Sequence, residues 1–387
     1  MFGGGRVTDP VELTKRLVRI ESCNPGKGEK EIGDYIFSRL QTRGIPAKKQ
    51  QVFPGRFNVI AEIKGKTELP PLVIICHMDT VVVGEGWPKP PFAAEEENGM
   101  IFGRGACDMK SGLACALSVL EDMREKRKKP DRTICFIATV DEEADMNGIQ
   151  AALLGGIIPA DSLLMDMEPT ALSAAISHKG RIWYNVEFKG ITAHASTPWK
   201  GADAIAAAAE FISEIRSCIS EMPEHPEMGP NTVTFGLIKG GYQPYVVPDY
   251  CTVTMDVRTA EPFTEKDIEA LMVKSKERIE KKICGIEISW ELTGNRPYIC
   301  GNRESELCRA ICESYREVCG HEAHIGVFPG YTDTAVAAGT LGSRNCISFG
   351  PGSLDMAHKP DEYVNIEEIK TCKKILENAV SRLCFFN

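Results

Sequence analysis

The sequence predicts an α/β fold, with a mostly parallel sheet flanked by helices and a smaller ferredoxin-like βαββαβ unit inserted into it. Three observations predict this fold class. Apolar strands alternate with helices over the first 180 residues, strands with one polar face begin near residue 181, and helices with apolar strands return near residue 292. Alternating strands and helices are typical of parallel sheets, whereas half-polar strands are typical of antiparallel sheets with one solvated face.

The length and composition are consistent with this division. The chain has 387 residues, of which 43% are hydrophobic and 26% are charged, so it is globular and too long for a single compact core. We therefore predict one domain from residues 1–180 and 292–387, and a second, inserted domain from residues 181–291.

Helices and strands of the first region follow from periodicity and capping. Thr8 or Asp9 is expected to cap a first helix that Pro10 begins, and residues 27–43 and 109–126 carry apolar side chains at helical spacing. Buried strands are predicted for the apolar segments "FNVIAEIKG", "PLVIICH", "DRTICFIATVDEE" and "DSLLMDMEPT".

The inserted region has a different pattern of apolar and polar residues. Its four predicted strands are "RIWYNVEFKG", "NTVTFGLIKGG", "DYCTVTMDVR" and "GIEISWEL". One helix, "GADAIAAAAEFISEIRSCI", follows the first strand, and another near residues 264–282 precedes the last. The resulting order, βαββαβ, is that of a unit that can close on itself as a small domain. After it, "ESELCRAICESYREV" is predicted as a helix and "NCISFGPG" as a strand.

Charge and cysteine content narrow the function classes. The formal net charge of −9 argues against nucleic-acid binding, which requires a basic face. There is no apolar run of transmembrane length, and the first ten residues contain no signal-peptide core. The 15 cysteines form no CxxC pair and lie mostly in apolar segments, so we expect free thiols in the reducing cytoplasm, with Cys308 and Cys312 as core residues.

Metal-capable side chains follow the predicted apolar strands or lie in the loops after them: His77, Asp79, Asp108, Glu142, Glu143, Glu168 and His358. In open α/β sheets the ligand crevice lies at the carboxyl ends of the strands, so these residues can converge. Each has an ordinary alternative: a solvated histidine, a surface Glu-Glu pair, or a helix cap at Asp108. Their shared position favours a common site.

The chemistry of that site would be coherent. Imidazole and carboxylate ligands without thiolate suit a catalytic zinc or a related divalent ion. Two such ions sharing one carboxylate can activate a water molecule and polarise a carbonyl, and a neighbouring unbound carboxylate can serve as the base. The adjacent Glu142 and Glu143 can divide ligand and base between them.

The ordered motifs resemble a known family. "HMDTVVVGEGW…PF", "GRGACDMKSG", "DEEADMNG", "MEPT" and "GPG…AHKPDE" are similar to those of the M20-type metallopeptidases and deacylases. That family includes aminoacylases, acetylornithine deacetylase, succinyl-diaminopimelate desuccinylase and glutamate carboxypeptidase. The resemblance covers nearly the whole chain and implies a zinc-peptidase-like catalytic domain with an inserted lid or dimerisation domain.

The resemblance implies a role for each metal-capable residue. The ligands of two zinc ions would be His77, Asp108 and Glu168 for one, and Asp108, Glu143 and His358 for the other, with Asp108 bridging. Asp79 would hydrogen-bond the far nitrogen of His77 and fix its tautomer. Glu142 would be the general base, and the Asp108–Met109 peptide would be cis.

Two residues of the inserted region join the site by resemblance. His194, in "GITAHASTPWKGADAI", resembles the histidine that reaches into the partner subunit's site and stabilises the oxyanion, which implies a homodimer formed through the lid. Arg258, in "MDVR", resembles the arginine that binds a substrate carboxylate. Without the resemblance, they would be a helix-entry histidine with local hydrogen bonds and a strand-end surface arginine.

The substrate is left between two subclasses. The expected reaction is cleavage of the amide bond of a small N-acylated amino acid or related carboxylate-bearing compound, with a dipeptidase or carboxypeptidase as the alternative. In "YQPYVVPDY", Tyr245 stands where relatives often carry an Asn that holds substrate. Zinc is the expected metal, with cobalt or manganese as alternatives. A catalytically silent relative would lack a ligand or the base, and none is missing here.

Overall fold

The computed structural model describes residues 8–126 and 128–386. The chain folds into two compact units: the larger contains residues up to Ser177, Gly301–Phe328 and the residues from Thr332 onward, and the smaller contains His178–Cys300 and Pro329–Tyr331. The expectation that the first ten residues hold no signal peptide concerns mostly residues 1–7, which lie outside the described part.

The elements are numbered along the chain. The helices of the described residues are α1 (Pro10–Val18), α2 (Lys30–Thr42), α3 (Ser111–Glu125), α4 (Asn147–Leu154), α5 (Ala204–Ser220), α6 (Glu265–Lys282), α7 (Glu306–Cys319), α8 (Asp333–Leu341) and α9 (Ile366–Cys384). The strands are β1 (Ala47–Phe53), β2 (Arg56–Ile63), β3 (Leu72–His77), β4 (Glu95–Glu97), β5 (Met100–Phe102), β6 (Ile134–Thr139), β7 (Leu163–Asp166), β8 (Ala174–His178), β9 (Gly180–Lys189), β10 (Thr232–Gly240), β11 (Tyr250–Thr259), β12 (Glu287–Arg296), β13 (Ile325–Phe328), β14 (Cys346–Ser348) and β15 (Tyr363–Asn365).

Local sequence explains where the predicted elements begin and why others were missed. Asp9, not Thr8, caps α1: its side chain accepts a hydrogen bond from the backbone N–H of Val11, and Pro10 occupies the first turn. The polar strand β1 carries the sequence "AKKQQVF", has no buried residue and pairs antiparallel with β2. It therefore lacks the apolar run by which a buried strand is recognised.

The larger unit is built on an eight-stranded sheet in the order β1-β2-β6-β3-β7-β14-β8-β13. The central pairings of β6 with β3, β3 with β7 and β7 with β14 are parallel, whereas β1 with β2, β2 with β6 and β14 with β8 are antiparallel. Every residue of β3 and β6 is buried, as expected for strands covered on both faces. This mixed α/β sheet, whose central strands are parallel, confirms the predicted fold class.

The smaller unit is a four-stranded antiparallel sheet in the order β10-β11-β9-β12, accompanied by α5 and α6. Along β9, Ile182, Tyr184, Val186 and Phe188 are buried in alternation with less buried residues, and they share one core with side chains of both helices. The order of elements is β9-α5-β10-β11-α6-β12, the βαββαβ pattern that the sequence predicts.

Two further features of the described chain are the state of its cysteines and the length of its apolar helices. All 15 cysteines are free, and most are buried, including Cys308 on the inner side of α7. Among the described residues, no helix combines the length and the apolarity needed to cross a membrane.

Candidate metal centre and active site

Four adjacent parallel strands of the larger unit, β6, β3, β7 and β14, end at one edge of the sheet. His77 is the last residue of β3, Glu142 and Glu143 follow β6, Glu168 follows β7, and His358 lies in the loop after β14. Because the carboxyl ends of parallel strands share one edge, residues far apart in sequence meet there.

His77 is buried, and its two ring nitrogens face different partners. Nε2 lies 3.0 Å from Oδ1 of Asp108 and 3.7 Å from Oε1 of Glu168. Nδ1 lies 2.9 Å from the backbone carbonyl oxygen of Asp79. Because a carbonyl oxygen only accepts hydrogen bonds, Nδ1 carries a proton, and Nε2 is the ligand atom when the ring is neutral.

Asp108 lies between the two histidines of the site. Its Oδ1 contacts His77, and its Oδ2 lies 3.4 Å from Nε2 of His358. The Asp108–Met109 peptide is cis, which confirms the prediction. Gly112, at the start of α3, lets this turn lie against β7, since an added Cβ would lie 2.1 Å from the carbonyl oxygen of Met167.

His358 is the most exposed member of the cluster, with 52% of its side chain accessible. Its Nε2 lies 3.0 Å from Oε2 of Glu143, and hydrogen bonds with Asp108 and Glu143 raise the pKa of His358 to about 10. In two groups of three residues, the potential ligand atoms all lie within 4.8 Å of one another: His77, Asp108 and Glu143, and His77, Glu142 and Glu168. These groups overlap the expected ligand sets but are not identical to them.

The expectation for Asp79 needs a correction. Its carboxylate Oδ1 lies 3.8 Å from Nδ1 of His77, which is longer than a hydrogen bond. The carboxylate instead accepts the backbone N–H groups of Glu142 and Glu143, both at 3.2 Å, and the side-chain amide of Asn24 at 3.0 Å. The backbone of Asp79 thus sets the His77 tautomer, because its carboxylate is already engaged in fixing the loop after β6.

Burial and mutual repulsion shift the pKa values of these carboxyl groups. Burial raises the pKa of Glu168 well above its ordinary value, and the nearby Asp108 carboxylate adds to the effect. Burial likewise raises the pKa of Glu142. Burial also opposes ionisation of Asp108, but hydrogen bonds with His358 and His77 lower its pKa far below the ordinary value. The cluster therefore has an excess of buried negative charge that the two imidazoles only partly offset.

The donor set fits divalent cations. Within residues 8–126 and 128–386, no Lys or Arg forms an ion pair with Glu142, Glu143 or Glu168. Several buried carboxylates that only two imidazoles offset are costly unless they coordinate a metal. Carboxylate and imidazole ligands together suit zinc and related first-row ions.

Sequence reasoning missed several residues around this cluster. Asn24 contacts Asp79 and also donates to Asp141 at 2.9 Å. Asp333, in the "GYTDTAV" segment, is buried and accepts a hydrogen bond from Thr139 at 2.6 Å, and burial raises its pKa to about 7. Nothing in the local sequence separates these polar residues from surface ones.

The two remaining candidates, His194 and Arg258, belong to the smaller unit. His194 is exposed, and its Nδ1 accepts the backbone N–H of Ser196 at 3.2 Å and lies 2.8 Å from the Ser196 hydroxyl. Its Nε2 is therefore the protonated nitrogen and can act as a donor. Arg258 forms a two-pronged ion pair with Asp256, with Nε to Oδ1 at 2.8 Å and Nη2 to Oδ2 at 2.9 Å.

Comparison with solved structures shows that this fold is shared. A tripeptidase from Staphylococcus aureus matches with a TM-score of 0.81 and 22% sequence identity, covering 97% of this chain and 98% of that one. A dinuclear metal binding peptidase of the M20 family from Bacillus subtilis matches with a TM-score of 0.73 and 19% identity, covering 96% of each chain. This chain therefore shares its fold with these two proteins.

Comparison of sequences then gives the family. A probable succinyl-diaminopimelate desuccinylase from Staphylococcus aureus is 26% identical, over 92% of this chain and 93% of that protein. An acetylornithine deacetylase from Photorhabdus laumondii is 27% identical, over 97% of this chain and 98% of that protein. The model of Peptidase family M20/M25/M40 matches residues 73–382. The chain belongs to this family of metal-dependent hydrolases of amide bonds.

Proposed function

We propose that this chain is a two-zinc hydrolase that removes the acyl group from small N-acylated amino acids or related carboxylate-bearing compounds. The observation that carries the proposal is the cluster of buried carboxylates and imidazoles at the carboxyl edge of β6, β3, β7 and β14. The two relatives that match over more than nine tenths of this chain are named for removing succinyl and acetyl groups, which favours a deacylase.

The residues that would hold the metal ions are those of the cluster. His77 and Glu168 would bind one ion, Glu143 and His358 the other, and Asp108 would bridge them. The contacts of Asp108 with both histidines support the bridging role. Two ions held there supply Lewis-acid activation of a carbonyl group and of a water molecule. Zinc suits the ligands, and cobalt or manganese are acceptable replacements.

Glu142 is the residue we assign as general base. It is buried, and its pKa is raised, first by burial and then by the neighbouring Asp333 and Glu143 carboxylates. A raised pKa makes a carboxylate a stronger base, which suits a group that takes a proton from water and gives it to the leaving amine. The Asp79 carboxylate holds the backbone of Glu142 and thus orients the base.

The smaller unit would supply the groups that recognise the substrate carboxylate and stabilise the oxyanion. Arg258 would bind the substrate carboxylate in place of Asp256, because a guanidinium group binds a carboxylate through two parallel hydrogen bonds. His194 would donate from Nε2 to the developing oxyanion in the site of a partner subunit. Tyr245, which is 60% exposed, stands where relatives carry an Asn and would shape the acyl pocket.

A homodimer through the smaller unit is part of this proposal. β10 is an edge strand of the antiparallel sheet, and its Leu237 and Ile238 are 59% and 55% exposed. Edge strands with exposed apolar side chains are prone to pair with another chain. Ile238→Lys should therefore give a monomer in light scattering, and a wild-type chain that is monomeric and fully active would contradict this part of the proposal.

We also propose a cytoplasmic location. The 15 free cysteines, most of them buried, are typical of a reducing compartment.

A hydrolysis screen tests the substrate class. N-acetyl, N-succinyl and N-formyl amino acids should be assayed beside dipeptides and tripeptides, after removal of metal and addition of zinc, cobalt or manganese. We expect amine release from the acyl amino acids that depends on added metal. Faster cleavage of the peptides would establish the peptidase alternative, and absence of hydrolysis in every arm would overturn the proposed function.

A further inference from the structure

A buried ion pair lies beside the proposed metal centre. Arg104 and Glu362 are 1% and 0% exposed, and Nη1 of Arg104 donates to Oε2 of Glu362 at 2.6 Å. Buried ion pairs of this kind are costly to desolvate and contribute little net stability compared with apolar residues of similar volume. A structural reason for both charges must therefore come from what else they contact.

Glu362 binds the backbone of the turn that carries Asp108. Its Oε1 accepts the N–H groups of Cys107 and Asp108 at 2.8 and 3.0 Å, and its Oε2 accepts the N–H of Gly105 at 3.0 Å. Only a carboxylate offers enough acceptor sites for three backbone N–H groups and a guanidinium together. One side chain thus fixes the backbone position from which Asp108 projects.

Arg104 reaches the loop of the other proposed ligand. Its Nη2 lies 3.3 Å from the backbone carbonyl oxygen of His358 and at the same distance from those of Val82 and Val83. The indole ring of Trp87 lies 5.2 Å from the guanidinium carbon, which orients it further. His358 has a positive φ of 64° and an exposed side chain, and this contact fixes its backbone, whereas its ring contacts Glu143.

We propose that the Arg104–Glu362 pair is a positioning device that assembles Asp108 and His358 before metal binds. The inference rests on the proposed function only in that these two residues are taken as metal ligands. A ligand held in place pays less conformational entropy on coordination, so loss of the pair weakens metal affinity. The pair does not contact substrate and acts only through the two ligands.

The alternative is that the pair only stabilises the fold, and a matched control separates the two. Glu121, on α3, is also 0% exposed and also pairs with an arginine: Nε and Nη2 of Arg39 donate to it at 2.6 and 2.9 Å, and the Thr8 hydroxyl does so at 2.7 Å. Glu121 contacts none of the proposed metal ligands.

The test is a zinc titration of the full chain in competition with a chromophoric chelator, beside the absorption spectrum of the cobalt(II)-loaded protein. Glu362→Gln should weaken the affinity for one of two zinc ions about 10–100-fold and change the cobalt spectrum. Arg104→Lys keeps the positive charge but loses the planar guanidinium group with its several N–H donors. This variant should weaken the zinc affinity less than Glu362→Gln does. Glu121→Gln should lower the melting temperature by about as much as Glu362→Gln does, but it should leave the zinc affinity and the cobalt spectrum unchanged.

Unchanged zinc affinity in Glu362→Gln, or an equal loss in Glu121→Gln, would overturn the positioning role. If Glu362→Gln does not fold, Arg104→Lys decides: wild-type affinity in that variant would contradict the proposal, and a loss confined to one ion would support it. A wild-type chain that binds no zinc would instead overturn the proposed function, so the two failures are distinguishable.

Discussion

The two units hold their candidate residues in opposite ways. In the larger unit, His77, Asp108 and Glu168 are buried and contact one another. In the smaller unit, His194 is exposed and Arg258 is half-buried, and the side chain of each bonds to a residue two positions away in the same segment. Buried groups that restrain each other keep a constant geometry, which suits the binding of metal ions and catalysis. Side chains whose bonds are local can exchange those bonds for substrate, and so are suited to substrate recognition.

Loss of Glu142, the proposed general base, should have the largest effect. Glu142→Gln keeps the shape of the side chain but removes its basicity, so kcat should fall about 10²–10⁴-fold while zinc affinity is retained. Initial rates on the best substrate of the screen, with zinc content measured in parallel, check this. Asp145→Asn, an exposed acid of the same loop, is the control and should keep wild-type activity. Near-normal turnover in Glu142→Gln would remove it from the mechanism.

Loss of His194, the proposed oxyanion donor, should have the second largest effect and, in the proposed dimer, should act across subunits. His194→Ala should reduce kcat about 10²–10³-fold without changing zinc affinity. After mixing and exchange of subunits with Glu142→Gln, about a quarter of wild-type activity should return, because half of the dimers would contain one complete site. Mixed samples that remain as inactive as their parents would show that His194 does not act in a partner's site.

Substitution of Arg258, the proposed carboxylate-binding residue, should have a smaller effect and should change KM rather than kcat. Arg258→Lys keeps the charge but cannot form two parallel hydrogen bonds, so KM should rise about tenfold with kcat nearly unchanged. Steady-state kinetics with a carboxylate-bearing substrate and its methyl ester separates the two parameters. The ester should be cleaved equally by both proteins. A fall in kcat at constant KM would place Arg258 elsewhere in the reaction.

The smallest predicted effect concerns His178, a buried histidine of the smaller unit. Its pKa is shifted in the opposite direction to that of the buried His77 in the larger unit. Burial lowers the pKa of His77, but hydrogen bonding to Asp108 and the charges of nearby glutamates outweigh burial and raise it well above the ordinary value. Burial alone lowers the pKa of His178 to about 3. The unfolded chain therefore binds a proton at His178 as pH falls through about 6.5, whereas the folded chain does not.

This difference in proton binding at His178 lowers the free energy of unfolding as the pH falls. The contribution of His178 is complete above the unfolded pKa and is lost as pH falls, by about 0.8 kcal/mol of unfolding free energy between pH 8 and pH 6. His178→Gln should be less sensitive to this change in urea unfolding, with exposed His321→Gln as control. Equal pH slopes for His178→Gln and the wild-type chain would show that His178 is not held neutral.

Sequence patterns predicted some elements well because burial leaves a periodic trace. The strands around His77 and Thr139 are uninterrupted apolar runs, and β9 alternates strictly, so both sheets were recognisable. β1 was missed because an edge strand that buries no residue carries no such trace. The candidate residues that follow strand ends could be found for the same reason, since each interrupts an apolar run.

The environment of each candidate residue could not be found in this way. Asp79 was expected to bond the His77 ring, but its carboxylate is used by the backbone of Glu142 and Glu143. Glu362 is one of two adjacent acids in "AHKPDEYV", and its contacts with the turn around Asp108 join residues that are 254 positions apart. Such contacts depend on how distant loops are packed.

Residue types and their order along the chain were sufficient to predict the α/β fold, the inserted βαββαβ unit and the set of metal-capable side chains, because hydrophobic periodicity and ligand chemistry are local properties. The packing of the folded chain set which oxygen faces which nitrogen, which charges are buried and which ion pair supports the Asp108 turn. Those features arise from contacts between segments far apart in sequence, and no local pattern encodes them.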